Sequence, residues 1–388
     1  KKDDSIKEQF KQALISTIKV ISDEYKNDPK EKSNFSSKNF NFFELDNLNV
    51  KHDFIKLRAA SDSEALKRKF CNKEIYEKNK PRNNSAKLLY DISEKIRYEL
   101  LGSKMLKGIA KNLNDNYKRW ADEKIEGFTN KIDNLLVEIR DPLNISITER
   151  KQIKQIINSN NMVFFSVNKP INDMKEKIKA YASLLGMGDY ELDSKSDKDG
   201  LTEIKVHKKS DQEFEYIPYS DKPLNWHTDG YYNDQSNSIL SWLLYCVCPS
   251  KDGGINKYMD HEISYILYNE KYQNIAKLMI SDAYTIPNNK SNGRQEVNNP
   301  VFSFNGNKLI MKFSMRERNI IWNDKIKKEV DNLKKIIESS SDYHVTHKLE
   351  SGQGIIANNV IHMRTSFTNS ENKNRLLYRL RSKKRVSC

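Results

Sequence analysis

Apolar side chains at Ile6, Phe10, Ala13, Leu14, Ile18 and Ile21 recur at helical spacing and predict a helix over residues 5–26. Residues 27–50 are rich in Asn, Ser, Lys and Phe without a sustained period, and read as a loop. Residues 62–79 and 86–127 are helical again. In the second run, Leu88, Leu89, Ile92, Ile96, Leu100 and Leu101 form one stripe that Met105, Ile109 and Leu113 continue. Gly102 and Gly108 interrupt it, which allows two helices. The pattern then changes. Asp141-Pro142 stops a helix, and Ser146-Ile147-Thr148-Glu149 carries the capping signal of the next.

Beyond residue 160 strands alternate with helices. Met162–Val167 is a short apolar run that predicts a buried strand, and Ile171–Leu185 a helix. Tyr190–Gly200 is polar and loop-like. Leu201–His207 and Phe214–Tyr219 read as strands, followed by the long apolar strand Ile239–Cys248. Asp252-Gly253-Gly254 signals a turn and Asp260–Glu270 a short helix. Val301–Phe313 reads as a hairpin turning at Asn305-Gly306, Lys325–Glu338 as an amphipathic helix, and Gly354–Ile361 and Arg375–Arg381 as the last strands. Many strands of uneven length with a few helices outside suit a double-sheet jelly roll. The expected fold class is therefore α+β. A double-stranded β-helix (jelly roll) with flanking helices spans residues 128–388, behind a mostly α-helical region over 1–127.

Bulk composition narrows the function classes. No stretch of eighteen apolar residues exists, so no membrane span is expected. The first residues open a charged amphipathic segment and not an apolar signal core, which leads to a cytoplasmic expectation. The four cysteines, Cys71, Cys246, Cys248 and Cys388, are too scattered for a disulfide framework. Cys246 and Cys248 alternate within an apolar run and read as small hydrophobes. The net charge is +14, but it is diffuse: residues 1–130 hold 28 Lys and Arg against 21 Asp and Glu. No dense basic block interleaves with aromatics, so nucleic acid is not an expected partner.

The candidate chemistry begins at Asn225-Trp226-His227-Thr228-Asp229-Gly230-Tyr231-Tyr232. In extended backbone, His227 and Asp229 leave the same face, and an imidazole beside a carboxylate supplies two-thirds of a non-haem iron site. With 7 His and 53 Asp and Glu in 388 residues, such a pair arises about once by chance, so alone it decides nothing. A third ligand candidate, His362, sits near the end of an apolar strand. Thirteen residues on, Arg375, Leu377, Arg379 and Arg381 share a strand face. An arginine buried there needs an anion, which a dicarboxylate co-substrate would supply. His344 and His347 are a rival metal pair, with surface histidines as the plainer interpretation.

Two resemblances follow from these residues. The segments Lys56–Arg68 and Glu99–Leu113 resemble the N-terminal region of the T subunit of aerobic cobaltochelatase, over about residues 5–120. That family's metal-ion-dependent adhesion-type domain has no counterpart in this sequence, so the expectation is a helical interaction module and not cobalt chelation. Residues 128–388 resemble the taurine dioxygenase (TauD/TfdA) family of Fe(II)- and 2-oxoglutarate-dependent oxygenases. The parts that match, in family order, are His-x-Asp with its glycine, the Gly253-Gly254 turn, the distal His362 and the Arg375-x-x-x-Arg379 strand.

The second resemblance implies His227, Asp229 and His362 as iron ligands. It implies Arg375 on the distal carboxylate of 2-oxoglutarate, and Arg379 near substrate or co-substrate. Asn256 stands where the family often has a threonine that assists 2-oxoglutarate, and an amide also donates to a carboxylate. Arg364 matches an arginine found in part of the family, with a structural ion pair as the alternative. Trp226, Tyr231 and Tyr232 are candidates for the substrate wall, with core packing as theirs. The implied activity is hydroxylation of an unactivated C–H bond of a small polar metabolite, consuming O2 and releasing succinate and CO2. Retention of Asp229 argues against halogenation. A non-catalytic binding or assembly protein on the same fold, partnered through the N-terminal helices and linked to cobalamin synthesis, is the alternative from a different class. A jelly-roll metalloprotein that is not an oxygenase would leave Arg375 and Arg379 without a purpose. Homo-oligomerisation is left open.

Overall fold

Helical spacing of apolar residues builds the first third of the chain. The computed structural model describes residues 2–23, 51–167, 174–192, 196–206, 217–288, 295–306, 308–316 and 319–387. They fall into two compact units, Lys1–Glu123 and Lys124–Cys388. The predicted loop over 27–50 lies outside the described residues.

The first unit is helical: α1 (Lys2–Ile21), α2 (Lys51–Phe70), α3 (Lys73–Asn79), α4 (Asn84–Met105) and α5 (Lys107–Glu126), whose last turn goes with the second unit. Ile18, Ile21, Ala65, Leu66, Tyr98, Ile109 and Leu113 form its core. The two segments that resemble cobaltochelatase meet there. Ser63 donates to Glu99 at 2.6 Å, and Asn112 donates to Asp62 at 2.7 Å. Gly102 lies where a Cβ would stand 2.2 Å from Leu66, so α2 and α4 approach closely. The predicted stripe of α4 is not its buried face. Leu89, Ile92, Ile96 and Leu100 are all exposed, while Tyr98 and Glu99 are buried. A period identifies a face, but packing decides which face is covered.

The second unit mixes helix and sheet. It opens with α6 (Ile132–Leu135), β1 (Leu136–Ile139), α7 (Ile147–Asn160), β2 (Met162–Val167), α8 (Met174–Leu184) and β3 (Thr202–Ile204). It continues with β4 (Leu224–His227), β5 (Ser241–Cys248), β6 (Asp252–Gly253), β7 (Asn256–Met259) and α9 (His261–Tyr272). Next come β8 (Tyr284–Ile286), β9 (Val297–Asn299), β10 (Phe302–Asn305), β11 (Lys308–Met311), β12 (Ile321–Trp322) and α10 (Lys327–Ser339). It closes with β13 (Val345–His347), β14 (Gln353–Ala357), β15 (Ile361–Arg364), β16 (Phe367–Thr368) and β17 (Leu376–Ser382).

Two sheets position the site: a six-stranded sheet ordered β1-β2-β14-β5-β17-β3 and a four-stranded sheet ordered β13-β7-β15-β4. Side chains from both meet in one cluster, including Phe164, Trp242, Leu244, Tyr258, Val345, Ile355 and Leu377. The alternate residues of the six-stranded sheet pack outward with Ile153 and Ile157 of α7 and Tyr181 of α8. Those of the four-stranded sheet pack with α9 and α10, including Ile263, Val330 and Leu333. Burial on both faces explains why β2 and β5 read as unbroken apolar runs. The capping box of α7 forms as expected, with Ser146 and Glu149 bonding each other's backbone.

Two strand predictions are corrected. Of Phe214–Tyr219, the described part Ile217–Tyr219 is a 3-10 turn, consistent with Pro218 having no N–H for a ladder. The predicted strand Gly354–Ile361 divides into β14 and β15, which join different sheets. Asn359 breaks it with a left-handed φ of 50°, a conformation that Asn tolerates better than most residues.

Candidate metal centre

His227 ends β4 and is the register partner of His362 in β15, which puts the two rings 4.3 Å apart between centroids. Asp229 reaches them from beyond the strand. Extended alternation was expected to bring His227 and Asp229 together, but β4 stops at His227 and Asp229 lies in a turn. Thr228 holds that turn through its backbone N–H, which donates to the Phe313 carbonyl at 2.9 Å. Asn359 holds the other side. Its carboxamide oxygen accepts from the Asp229 N–H at 2.9 Å, and its nitrogen donates to the Asp229 and Ile239 carbonyls at 2.9 and 2.7 Å. Gly230 follows at φ +66°, where a Cβ would stand 2.5 Å from Ile239.

The resulting group is compact. One ligand atom from each of His227, Asp229 and His362 lies within 4.8 Å of the others, and all three residues are buried. Among the described residues this is the cluster of three His, Cys, Asp or Glu side chains with metal-holding geometry. Asp229 Oδ1 is 3.7 Å from His227 Nε2 and 4.0 Å from His362 Nε2. Each ring directs Nδ1 to a carbonyl two residues back, Asn225 at 2.8 Å and Val360 at 3.0 Å. A carbonyl only accepts, so Nδ1 carries the hydrogen and Nε2 keeps a lone pair facing the cluster.

Electrostatics favour the ligating forms. Burial, and then His362, push the His227 imidazole down to about 3. Burial also lowers His362, against the pull of Asp229. Burial alone would raise the Asp229 carboxyl, but Arg379 foremost, with His362, Arg381 and His227, holds it at about 2. Two neutral imidazoles and one carboxylate are a donor set suited to a divalent transition metal with open positions.

The other candidates distribute over this face and away from it. Arg375, just before β17, is buried and stacks on the Phe367 ring at 4.9 Å. No described carboxylate pairs with it. Asn256 is buried on β7 opposite Arg364. Arg364 is committed to backbone: it donates to the carbonyls of Ser220 at 2.9 Å and Lys222 at 2.6 Å. These contacts are to backbone carbonyls and not to a carboxylate. Arg381 pairs with Glu191 at 2.6 Å and donates to the Tyr232 hydroxyl at 2.7 Å. Trp226 alternates to the opposite side of β4 and packs on His344 at 4.9 Å within the helix-covered core, and Tyr231 joins the same core. Both aromatics thus take the core packing given above as their alternative. His344 and His347 bond the Ile337 carbonyl and Gln353.

Sequence reasoning missed Asn359, Tyr258 and Lys312. The pair Asn358-Asn359 inside an apolar run was the available signal for the first. Lys312, a lone lysine beside apolar neighbours, is buried with its ammonium on the Asn233 and Asp234 carbonyls at 2.8 Å each, bracing the chain that follows the His-x-Asp turn.

Two family matches cover the chain. Residues 124–381 match the family described as taurine catabolism dioxygenase TauD, TfdA family. Residues 4–139 match that of the cobalamin biosynthesis protein CobT. No curated protein matches. Among solved structures, similarity extends to an asparagine oxygenase in complex with Fe(II), 3-hydroxyasparagine and succinate. It is 14% identical, covers 61% of this chain and 80% of that one, and has a TM-score of 0.47. PvcB, an Fe, alpha-ketoglutarate dependent oxygenase from an isonitrile synthetic pathway, is 15% identical over 64% and 85% with a TM-score of 0.43. A putative alpha-ketoglutarate-dependent taurine dioxygenase from Burkholderia xenovorans is 14% identical over 64% and 88% with a TM-score of 0.44.

Proposed function

The chain belongs to the TauD/TfdA family through residues 124–381, and from that premise we propose that it is an Fe(II)- and 2-oxoglutarate-dependent dioxygenase. Its two facing sheets are the double-stranded β-helix of such an enzyme. The reaction joins 2-oxoglutarate, O2 and a C–H bond of a small polar metabolite, and yields succinate, CO2 and the hydroxylated product. His227, Asp229 and His362 hold the iron, Arg375 takes the distal carboxylate of 2-oxoglutarate, and Asn256 and Arg379 assist.

The observation that carries this reading is the pairing of the three-ligand cluster with Arg375, a buried cation that no described carboxylate neutralises. Leaving a guanidinium buried without an anion is costly, and a bidentate carboxylate relieves it. When bound, the iron and its co-substrate supply the oxidising chemistry. The chain's residues do the rest. Nδ1–H bonds fix both rings, Asn359 and Thr228 hold the Asp229 turn, and the walls of Trp242 and Tyr258 keep water from His362, at 4.8 and 6.3 Å between ring centroids.

An anaerobic titration with Fe(II) and then 2-oxoglutarate tests the proposal. A visible charge-transfer band that is absent in His362→Ala supports it, whereas iron binding without a band removes the co-substrate. In that event the second reading gains ground, a binding or assembly protein partnered through the helical unit. Its own supporting observation is the exposed Leu89, Ile92, Ile96 and Leu100 stripe of α4.

A further inference from the structure

The turn that carries Asp229 is held on both sides by two adjacent residues. On the near side, the Phe313 carbonyl accepts from the Thr228 N–H at 2.9 Å, and the Phe313 N–H donates to the Thr228 hydroxyl at 3.0 Å. On the far side, the Lys312 ammonium donates to the carbonyls of Asn233 and Asp234 at 2.8 Å each. Between the two, the Asn233 N–H donates to the Gly230 carbonyl at 3.0 Å and closes the turn that follows Asp229. Two more buried side chains tighten the far side. Asn299 donates to the Asn233 carbonyl at 2.9 Å, and the Tyr284 hydroxyl donates to the Tyr231 carbonyl at 2.6 Å.

Lysine is an unusual residue for this place. It stands between Met311 and Phe313, both in the helix-covered core, and is only 3% exposed. Its ammonium also reaches Asn299 Oδ1 at 3.2 Å, so three donor hydrogens meet three carbonyl-type oxygens. No described carboxylate bonds it. The carboxylate of Asp234 accepts from Ser236 and Asn237 instead. Taking an ammonium out of water without a counter-charge is costly, and burial accordingly lowers its pKa to about 8. A methionine would fill the space at lower cost. What only the ammonium supplies is a three-pronged donor that fixes backbone oxygens.

We propose that Lys312 is a positioning residue of the metal centre: with Asn299 and Tyr284 it pins the turn from Asp229 to Asp234 in its ligating geometry, so that metal affinity and not only folding depends on it. This assignment rests on the iron ligands proposed above. Lys312 acts through the backbone and not by coordination. A ligand already held in place loses little freedom when the metal binds, whereas a loosened turn has to be ordered at that moment.

The test is Lys312→Met in the full chain, which keeps the length of the side chain and removes its charge. Fe(II) affinity of chelator-treated protein is measured anaerobically by titration calorimetry, at a temperature where each variant is fully folded. Urea denaturation is followed in parallel. Leu333→Ala, a truncation in the core under α10, supplies a protein destabilised elsewhere in the same unit. Lys312→Met is expected to bind Fe(II) about tenfold more weakly, the usual effect of losing a group that orients a ligand. Leu333→Ala binds it as wild type does, and 2-oxoglutarate half-saturation of iron-loaded Lys312→Met stays close to wild type. Wild-type Fe(II) affinity in Lys312→Met, or equal weakening in Leu333→Ala, would overturn the assignment. Where Lys312→Met does not fold, Tyr284→Phe decides: it removes only the donor to the Tyr231 carbonyl, and should weaken Fe(II) binding by a smaller factor, while an unchanged affinity overturns the assignment. A wild type that binds no Fe(II) removes the metal reading itself. A wild type that binds it beside an indifferent Lys312→Met removes only Lys312.

Discussion

Each imidazole of the triad spends its Nδ1–H on a carbonyl two residues back, and this leaves Nε2 with only a lone pair to offer. The orientation is therefore set by backbone before any metal arrives. Arg375 is the complementary case, since burial lowers its guanidinium pKa and no described carboxylate restores it. Arg375→Ala is expected to raise the 2-oxoglutarate needed for half-saturation about 100-fold, as loss of a bidentate charge-assisted pair should. Iron affinity should stay close to wild type in the same titration. An unchanged 2-oxoglutarate requirement would place the carboxylate elsewhere.

At the scale of elements, the decisive feature is the break between β14 and β15. A single strand through residues 354–361 would remain in one sheet, with His362 on it. The left-handed Asn359 instead transfers the chain to the second sheet, where His362 becomes the register partner of His227. The same side chain ties down the Asp229 turn with three hydrogen bonds. Asn359→Ala loses those bonds and places Ala where it is sterically disfavoured, at a cost of about 2–4 kcal/mol. Urea denaturation measures that loss. Because Asn359 supports a proposed ligand, Fe(II) affinity should also fall by about 10- to 100-fold. Asn359→Gly restores the backbone freedom but not the bonds, and should recover only part of the stability.

At the scale of the whole second unit, a buried ionic cluster joins distant parts of the sequence. Lys124 is 2.6 Å from Asp260 and 2.9 Å from Glu262. Asn161 donates to Asp260 at 3.1 Å, and Arg385 donates to Asn161 at 2.8 Å. Burial disfavours the Lys124 ammonium, yet the two carboxylates overcome this and hold its pKa above the ordinary value. Lys124→Met leaves two buried carboxylates without their cation and is expected to cost about 3–5 kcal/mol, read from the denaturation midpoint. Acid stability follows from the histidines. Burial lowers His227, His261, His344 and His362 in the folded chain relative to 6.5. Below that value the unfolded chain takes up protons that the folded chain refuses. Stability is therefore fully present above about pH 6.5 and declines as pH falls toward 3, where His227 itself titrates. Melting temperatures of chelator-treated protein at pH 7.5, 6.5 and 5.5 should be nearly level over the first step and fall over the second.

What the sequence determined by itself was local. Helical spacing located α1 and α10, the Ser146 capping signal located the start of α7, and the apolar runs located β2 and β5. The ordered set of His227, Asp229, His362 and Arg375 was legible because each lies beside a short-range signal: a glycine turn, an apolar strand or an arginine alternation. Tertiary structure decided what depends on distant partners. It ended β4 at His227 and brought Asp229 in from a turn. It turned Trp226 and Tyr231 to the helix-covered core, spent Arg364 on carbonyls 142 and 144 residues away, and left the α4 stripe uncovered. Residue spacing fixes which side chains share a face. Burial and hydrogen-bond satisfaction are set by what the chain lays against that face, and they decide whether it becomes core, wall or ligand.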